Sequence, residues 1–448
     1  MKMLLTMLVI LSTQLLASSA PANFPTEQDQ YIFIDFKKAH YSIKYDIKNS
    51  KAYAFTKIVF TQREVGIPLF DLVPNPISAV LNGEDVETQI VKSPAGVTSY
   101  RAILKRNKIG THTLEIKNEI TKGLKFKKGG VQSAFWMSDL SDRRYLEQYV
   151  PTNLEFDQYK ITMDIKFIGA KTKQIIYTNA QITQTKDFSF HLDFPNYFTA
   201  SSIFFHTVTE GRVLEKKYNY TSITGTKIPV TVYTNKSIWY GSSNLSQGVK
   251  KSKSVLIELE KKLGAWPHKN LIIYVAGQGG MEYSGATITS LSALGHEIIH
   301  SYFARGVMPI DGNSGWMDEA IASWRDGGYL SVSRPNFSST SMAAHSQYRR
   351  TTDRRAYTQG ANFMAYLNHN LSNLGGLIKF LNIIHTKYTH KTIDTEIFRS
   401  ELELFSGLNF EKDFNKYIYG EGRSTSTKKI QTNPYHPILS EKQLMDLL

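Results

Sequence analysis

Within the stretch "GHEIIHSYFARGVMPIDGNSGWMDEAIASW" (Gly295–Trp324), four side chains have the types and spacing to do chemistry together: His296, Glu297, His300 and Glu319. His296 and His300 are four apart, so on a helix their rings project from one face about a turn apart. Two neutral imidazoles so placed can bind one Zn²⁺, with Glu297 beside them as general base toward water. A catalytic zinc takes three protein ligands and keeps a fourth position open. Glu319 follows His300 after eighteen residues, inside "WMDEAIASW", itself a plausible helix. A turnaround between two packed helices would bring its carboxylate to the metal. Taken alone, the same pattern suits an amphipathic helix with two polar contacts and a surface glutamate.

Just upstream lies "GQGGMEYSGATITS" (Gly277–Ser290). Gly279 and Gly280 let backbone come close to a substrate, and "GATITS" offers an edge for peptide pairing by strand addition. Glu282 can face a free α-amine, because a carboxylate pairs with an ammonium ion. By itself this stretch reads by default as a hairpin turn.

These residues need elements to hold them. From about Tyr31 to Thr234 the dominant period is two: Tyr41, Ile43, Tyr45 and Ile47 alternate with polar neighbours, as do Ile161, Met163, Ile165 and Phe167, and Val230 and Val232 close the region. Such alternation predicts half-buried antiparallel strands in a curved sheet or sandwich. After Asn244 the period changes. Val249, Leu256, Leu259 and Leu263 recur at helical spacing, with Gly264 as the stop. "LIIYVA" (Leu271–Ala276) and "GATITS" read as short strands. From Leu291 the chain reads as mainly helical, with a loop over Ser331–Ser341 and a frayed connection over Arg423–Lys429.

The 448 residues are 41% hydrophobic and 21% charged, the composition of a folded protein with room for two or three domains. Met1-Lys2-Met3, the apolar run Leu4–Leu16 and the small residues Ala17–Ala20 have the layout of a secretory signal peptide, cut after Ala20 or Ala22. No later stretch approaches eighteen apolar residues, so no transmembrane segment is expected after cleavage. There is no cysteine, which excludes disulfides, a thiolate nucleophile and a Cys-based metal site. An exported protein of this kind suits a bacterial periplasm or exterior. The formal charge of +14 is scattered in short groups and reads as solvated surface, so no nucleic-acid partner is expected.

The order GGMEY, HEIIH, eighteen residues, then Glu319 closely resembles the M1 zinc aminopeptidases, gluzincins with the signatures GxMEN and HExxH-x18-E. "WMDE" (Trp316–Glu319) is similar to that family's W-x-N-E-G, and "AYTQGANFMAYL" resembles its Y-E-K-G stretch, which points to Tyr357. "KLGAWPHKNLIIYVAGQGGMEY" and "FWMSDLSDRRYLEQYVPTNLEFDQYKITMDI" extend the likeness over about 31–420. It implies an α+β fold: an N-terminal all-β saddle or sandwich domain (23–234, after a signal peptide at 1–22), then a thermolysin-like, mainly helical zinc-peptidase domain (235–448). It implies one Zn²⁺ on His296, His300 and Glu319, Glu297 as base, and Tyr357 donating to the oxyanion. Gly279, Gly280 and Glu282 would bind peptides with a free N-terminus. The implied activity is a zinc aminopeptidase that hydrolyses the N-terminal peptide bond with metal-activated water. Tyr283, Asp318 and Ala320 depart from the family pattern. The chain ends about ninety residues after Tyr357, without the large C-terminal helical domain of many members. A zinc endopeptidase or oligopeptidase with an open cleft is therefore the alternative, and an idle peptide-binding protein a further one. Glu147 or Gln148 would assist amine binding from the first domain.

Overall fold

Alternating apolar residues build the first half of the chain. Tyr41, Ile43 and Tyr45 are buried along the Asp35–Asp46 strand, and Ile161, Met163, Ile165 and Phe167 along Lys160–Ile168. Successive strand side chains point to opposite faces, so alternation sends one face to the core and the other to water. The two strands are neighbours in an eight-stranded sheet, with Met163 opposite Tyr41 and the Phe167 ring stacked on Tyr45 at 5.2 Å. Their pairing is parallel, not antiparallel as the alternation suggests; Lys160–Ile168 is antiparallel only to Ser189–Asp193 on its other side. Alternation reports which face is buried, not which way the neighbour runs. Sheets of five and four strands complete this β-rich domain.

The computed structural model describes residues 20–421 except 97, 128, 138–144, 156 and 238–240, together with 445–448. Most of the expected signal segment, and all of the connection expected over 423–429, lie outside the described residues.

A second five-stranded sheet has the order Val213–Thr221, Lys227–Asn235, Leu271–Val275, Ala286–Thr289, Gly280–Tyr283. Val230 pairs with Leu271 and Val232 with Ile273, and both valines pack in the core of the helical half. Strands Val213–Thr221 and Lys227–Asn235, which a division at 234/235 assigns to the first domain, thus share a sheet with Leu271–Val275. Period two runs on from one sheet to the next, which hides the change from a reading by periodicity.

Helices α1 (Gly241–Leu263) and α2 (Leu294–Ile299) pack on one face of this sheet, and α3 (Trp316–Asp326), α4 (Ala361–Asn370), α5 (Gly376–Tyr388), α6 (Thr395–Ser406) and α7 (Glu411–Tyr417) build outward from them. Gly264 ends α1 at φ 102°, a conformation glycine adopts without strain. Among the described residues no helix is long and apolar enough to cross a membrane.

The other sheet face meets the first domain through aromatic rings. Tyr274 stacks on Tyr233 at 4.8 Å and on Trp136 at 5.9 Å. Polar bonds fix the register: Asn179 Nδ2 donates to Ser202 O and Ser284 O, and the Met137 N–H donates to the Tyr283 hydroxyl. Arg350 reaches across to Asp71 (2.5 Å) and Glu147 (3.0 Å), all three buried. Replacing one partner of a buried ion cluster strands the others. Arg350→Met is therefore expected to lower unfolding stability by about 3–5 kcal/mol, read from the urea midpoint. An unchanged midpoint would show that this cluster contributes nothing to holding the domains together.

Candidate metal centre

The short helix α2 runs straight into His300, which keeps helical angles (φ −59°, ψ −23°), so both histidines of the HEIIH segment share one face. Helix α3 packs against it. Ala320, Ile321 and Trp324 are buried on α3, and the Gly327–Gly328 pair, with Gly328 at φ 80°, ends it. A Cβ on Gly295 would collide with the Arg325 guanidinium, so the glycine before His296 leaves room for that side chain over α2.

This packing brings three donors together. His296 Nε2 lies 3.3 Å and His300 Nε2 3.5 Å from the same Glu319 oxygen, Oε2, and the donor atoms of all three residues fall within 4.8 Å of one another. Charge-assisted N–H···O bonds favour about 2.7–2.9 Å, so these contacts are long for hydrogen bonds. They match instead the edge of about 3.3 Å between ligands that sit about 2.0–2.1 Å from a tetrahedral zinc. The donor set fits Zn²⁺.

Further residues orient the donors. Asp326 Oδ2 lies 2.8 Å from His296 Nδ1, which fixes the tautomer that turns Nε2 toward Glu319. Arg325 bonds Asp326 and, through two nitrogens, Glu258 of α1. The Tyr357 hydroxyl donates to Glu319 Oε1 at 2.6 Å. Tyr357 sits on a π-helical turn, Ala356–Gly360, and a Cβ at Gly360 would come within 2.8 Å of Ala320 Cβ. That close approach is what carries Tyr357 to Glu319.

Burial shapes the electrostatics. It raises the Glu297 carboxyl well above the carboxylate range, against the opposing pull of His296 and His300. Burial works to lower both histidines, but carboxylates overcome it. Asp326 and Glu319 hold His296 well above 6.5, and Glu319 holds His300 at about 9. Glu319 in turn is kept well below its usual value by these rings, although burial alone would raise it. The cluster is built to face positive charge.

Gly279, Gly280 and Glu282 lie alongside. Gly280–Tyr283 is the outermost strand of its sheet, whereas Ala286–Thr289 of "GATITS" is paired on both sides and offers no edge. Among the described residues the outer strand on this side of the sheet is thus Gly280–Tyr283. A Cβ on Gly280 would overlap the Glu297 carboxylate, so the two are in direct contact. Glu282 has a partner the sequence reading missed: Arg305 Nη2 donates to its Oε1 at 2.7 Å. Arg305 follows Ala304, a non-glycine at φ 136°, a strained conformation that costs on the order of 1–3 kcal/mol. Asp326 was also missed. Its position seven residues after Glu319, two turns along the same helix face, is a signal that a search for histidine partners would have caught. Glu147 and Gln148, weighed as amine-binding residues, bond Arg350 and Trp136 O in the domain interface.

No protein-family model matches the sequence, and no curated protein does. Solved structures do match. An M1 zinc metallopeptidase from Deinococcus radiodurans aligns with TM-score 0.62 over 89% of this chain and 96% of its own, at 14% identity. Native leukotriene A4 hydrolase from Saccharomyces cerevisiae gives 0.61 over 88% and 69%, at 15% identity. Aminopeptidase A of Legionella pneumophila gives 0.63 over 86% and 50%, at 11% identity. The chain carries the M1 zinc metallopeptidase fold.

Within the M1 fold, the three departures have local accounts. The Tyr283 hydroxyl accepts the Met137 N–H across the domain interface. Asp318 Oδ1 accepts the N–H of Glu319 at 2.6 Å. Ala320 is accommodated because Gly360 opposes it.

Two predictions follow from the donor shell. Asp326→Ala is expected to weaken zinc binding roughly 10–100-fold, measured by competition with a chromogenic chelator; unchanged affinity would remove Asp326 from the shell. In chelator-stripped protein His300 titrates near 9, against 6.5 unfolded. A raised histidine contributes stability below 6.5 that is lost as pH rises through 9, and the raised Glu297 acts in the same direction. The melting temperature of stripped protein is expected to fall from pH 6.5 to 9, while zinc affinity rises as protons leave the imidazoles. A flat melting profile across that window would contradict the assigned couplings.

Proposed function

We propose that this chain is a zinc-dependent peptidase that hydrolyses peptide bonds. The observation that carries the reading is the donor set His296–His300–Glu319, spaced as the ligands of one tetrahedral zinc, with Glu297 and Tyr357 beside it. When bound, zinc supplies Lewis acidity, polarising a carbonyl and lowering the pKa of water.

The chain's own groups account for the rest. The Glu297 carboxylate accepts a proton from the attacking water and returns it to the leaving amine, a task suited to a carboxyl raised by burial toward neutral pH. The Tyr357 O–H, now donating to Glu319 Oε1, turns to donate to the oxygen on which negative charge builds. The edge strand Gly280–Tyr283 pairs with an extended substrate and leads its backbone past Glu297.

Removal of the N-terminal residue is the finer reading, with Glu282 holding the α-ammonium. It is supported by fold neighbours described as an aminopeptidase complexed with aspartic acid and as two-domain M1 metallopeptidases bound to L-arginine or L-tryptophan. The second reading, an endopeptidase or oligopeptidase, is favoured by the ion pair that engages Glu282. We also propose export to the periplasm or exterior, on the strength of the basic start and apolar run.

Glu297→Gln is expected to lower kcat roughly 10²–10⁴-fold with zinc stoichiometry unchanged. Tyr357→Phe should lower it roughly 10²–10³-fold. Chelator-insensitive cleavage, or full turnover in Glu297→Gln, would sink the mechanism.

A further inference from the structure

Asp326, the last residue of α3, turns His296 and is itself held from a second side. Its Oδ2 lies 2.8 Å from His296 Nδ1, and its Oδ1 accepts from Arg325 Nη1 at 3.0 Å. The guanidinium in turn is held from α1. Arg325 Nε donates to Glu258 Oε1 at 3.1 Å and Nη2 to Glu258 Oε2 at 2.7 Å, a two-point fork between residues 67 apart in sequence. Such a fork fixes the plane of a guanidinium as well as its distance. With Nε and Nη2 committed to Glu258, Nη1 is the nitrogen turned to Asp326 and laid over Gly295.

Glu258 is anchored as well. The Tyr329 hydroxyl donates to its Oε1 at 2.5 Å, and Lys262, a turn further along α1, stands 4.2 Å from the centre of the Tyr329 ring. Seven residues before Glu258, on the same face of the helix, Lys251 donates to Leu291 O at 2.7 Å and Ser292 O at 3.0 Å in the approach to α2. Helix α1 thus grips the surroundings of both helices that carry the metal donors. Its own seat is apolar: Val255, Leu256, Leu259 and Leu263 are buried, while the Glu258 side chain is 31% exposed. Replacing Glu258 leaves that seat intact.

We propose that Glu258 is a positioning residue of the metal centre: acting through the Arg325 guanidinium and the Asp326 carboxylate, it fixes the direction in which His296 presents Nε2, and so sets how tightly the site holds zinc. The inference rests on the zinc reading of His296, His300 and Glu319. Its physical basis is preorganisation. A carboxylate free to swing about its side-chain torsions holds an imidazole in several directions, and freezing those torsions only when the metal arrives subtracts from the binding free energy. The fork from α1 completes that ordering during folding.

The test uses chelator-stripped full chain and zinc affinity measured by competition with a chromogenic chelator. Glu258→Gln keeps the shape of the side chain but removes its charge and an acceptor of the fork. It is expected to weaken zinc binding about three- to tenfold, short of the roughly 10–100-fold that loss of a direct partner such as Asp326 brings. Arg325→Lys, which replaces the fork by a point charge, should weaken it by a similar factor. The deciding arm repeats Glu258→Gln in an Asp326→Ala background. If Glu258 works through Asp326, it costs nothing further there, whereas a charge acting through space, or a general loosening of α1, would cost as much as before. The visible bands of the cobalt(II)-loaded protein report donor geometry and are expected to change in Glu258→Gln. Wild-type zinc affinity in both single variants, wild-type cobalt bands in Glu258→Gln, or an undiminished loss in the Asp326→Ala background overturns the inference and leaves the peptidase reading standing. A wild type that takes up no zinc overturns both.

Discussion

Charge buried at one place is the constraint on which this structure turns. Glu282, Glu297 and Glu319 lie within electrostatic reach of one another and of two imidazoles, all of them buried. Buried carboxylates are tolerated only when cations and hydrogen bonds compensate them. Glu319 has two histidines and Tyr357, Glu282 has Arg305, and Asp326 has Arg325. Among the described residues no ion pair holds Glu297. Burial therefore acts on that carboxyl with least opposition, and the group left least compensated is the one whose proton affinity suits a base.

The compensating groups come from far apart in the chain, so the site depends on the domain interface as much as on its own helices. Ser201 reaches Arg305 from the first domain, and Met137 fixes Tyr283 at the end of the edge strand. The aromatic stack of Trp136, Tyr274 and Tyr233 seats the sheet that presents Gly280 and Glu282. Apolar burial supplies most of the adhesion, while the few polar bonds fix where each strand stops. A shift of the interface would move Glu282 and its arginine together.

Much of this was legible before any coordinates. The four-residue spacing of His296 and His300 works because local helical geometry turns sequence separation into a shared face. The alternation around Tyr41 and Ile161 marked buried strand faces for the same local reason. Gly279 and Gly280 read in sequence as points where backbone comes close to a substrate; in the fold a Cβ at Gly280 would overlap the Glu297 carboxylate, a contact no local pattern shows. Period two could not mark the passage from one sheet to the next at Val213, because both sheets share it. Nor could it tell that "GATITS" is an inner strand, since edge and interior strands differ in their neighbours rather than in their own pattern.

The sequence by itself determined which atoms can meet a metal and which faces are apolar, because both follow from periodicities of a few residues. Tertiary structure alone decided what those atoms do to one another. Glu282 reads in sequence as a carboxylate waiting for an ammonium, and the fold gives it Arg305, twenty-three residues on, through a strained turn and a serine of the other domain. Ion pairing between distant residues is set by how sheets and helices pack, and no local pattern encodes it.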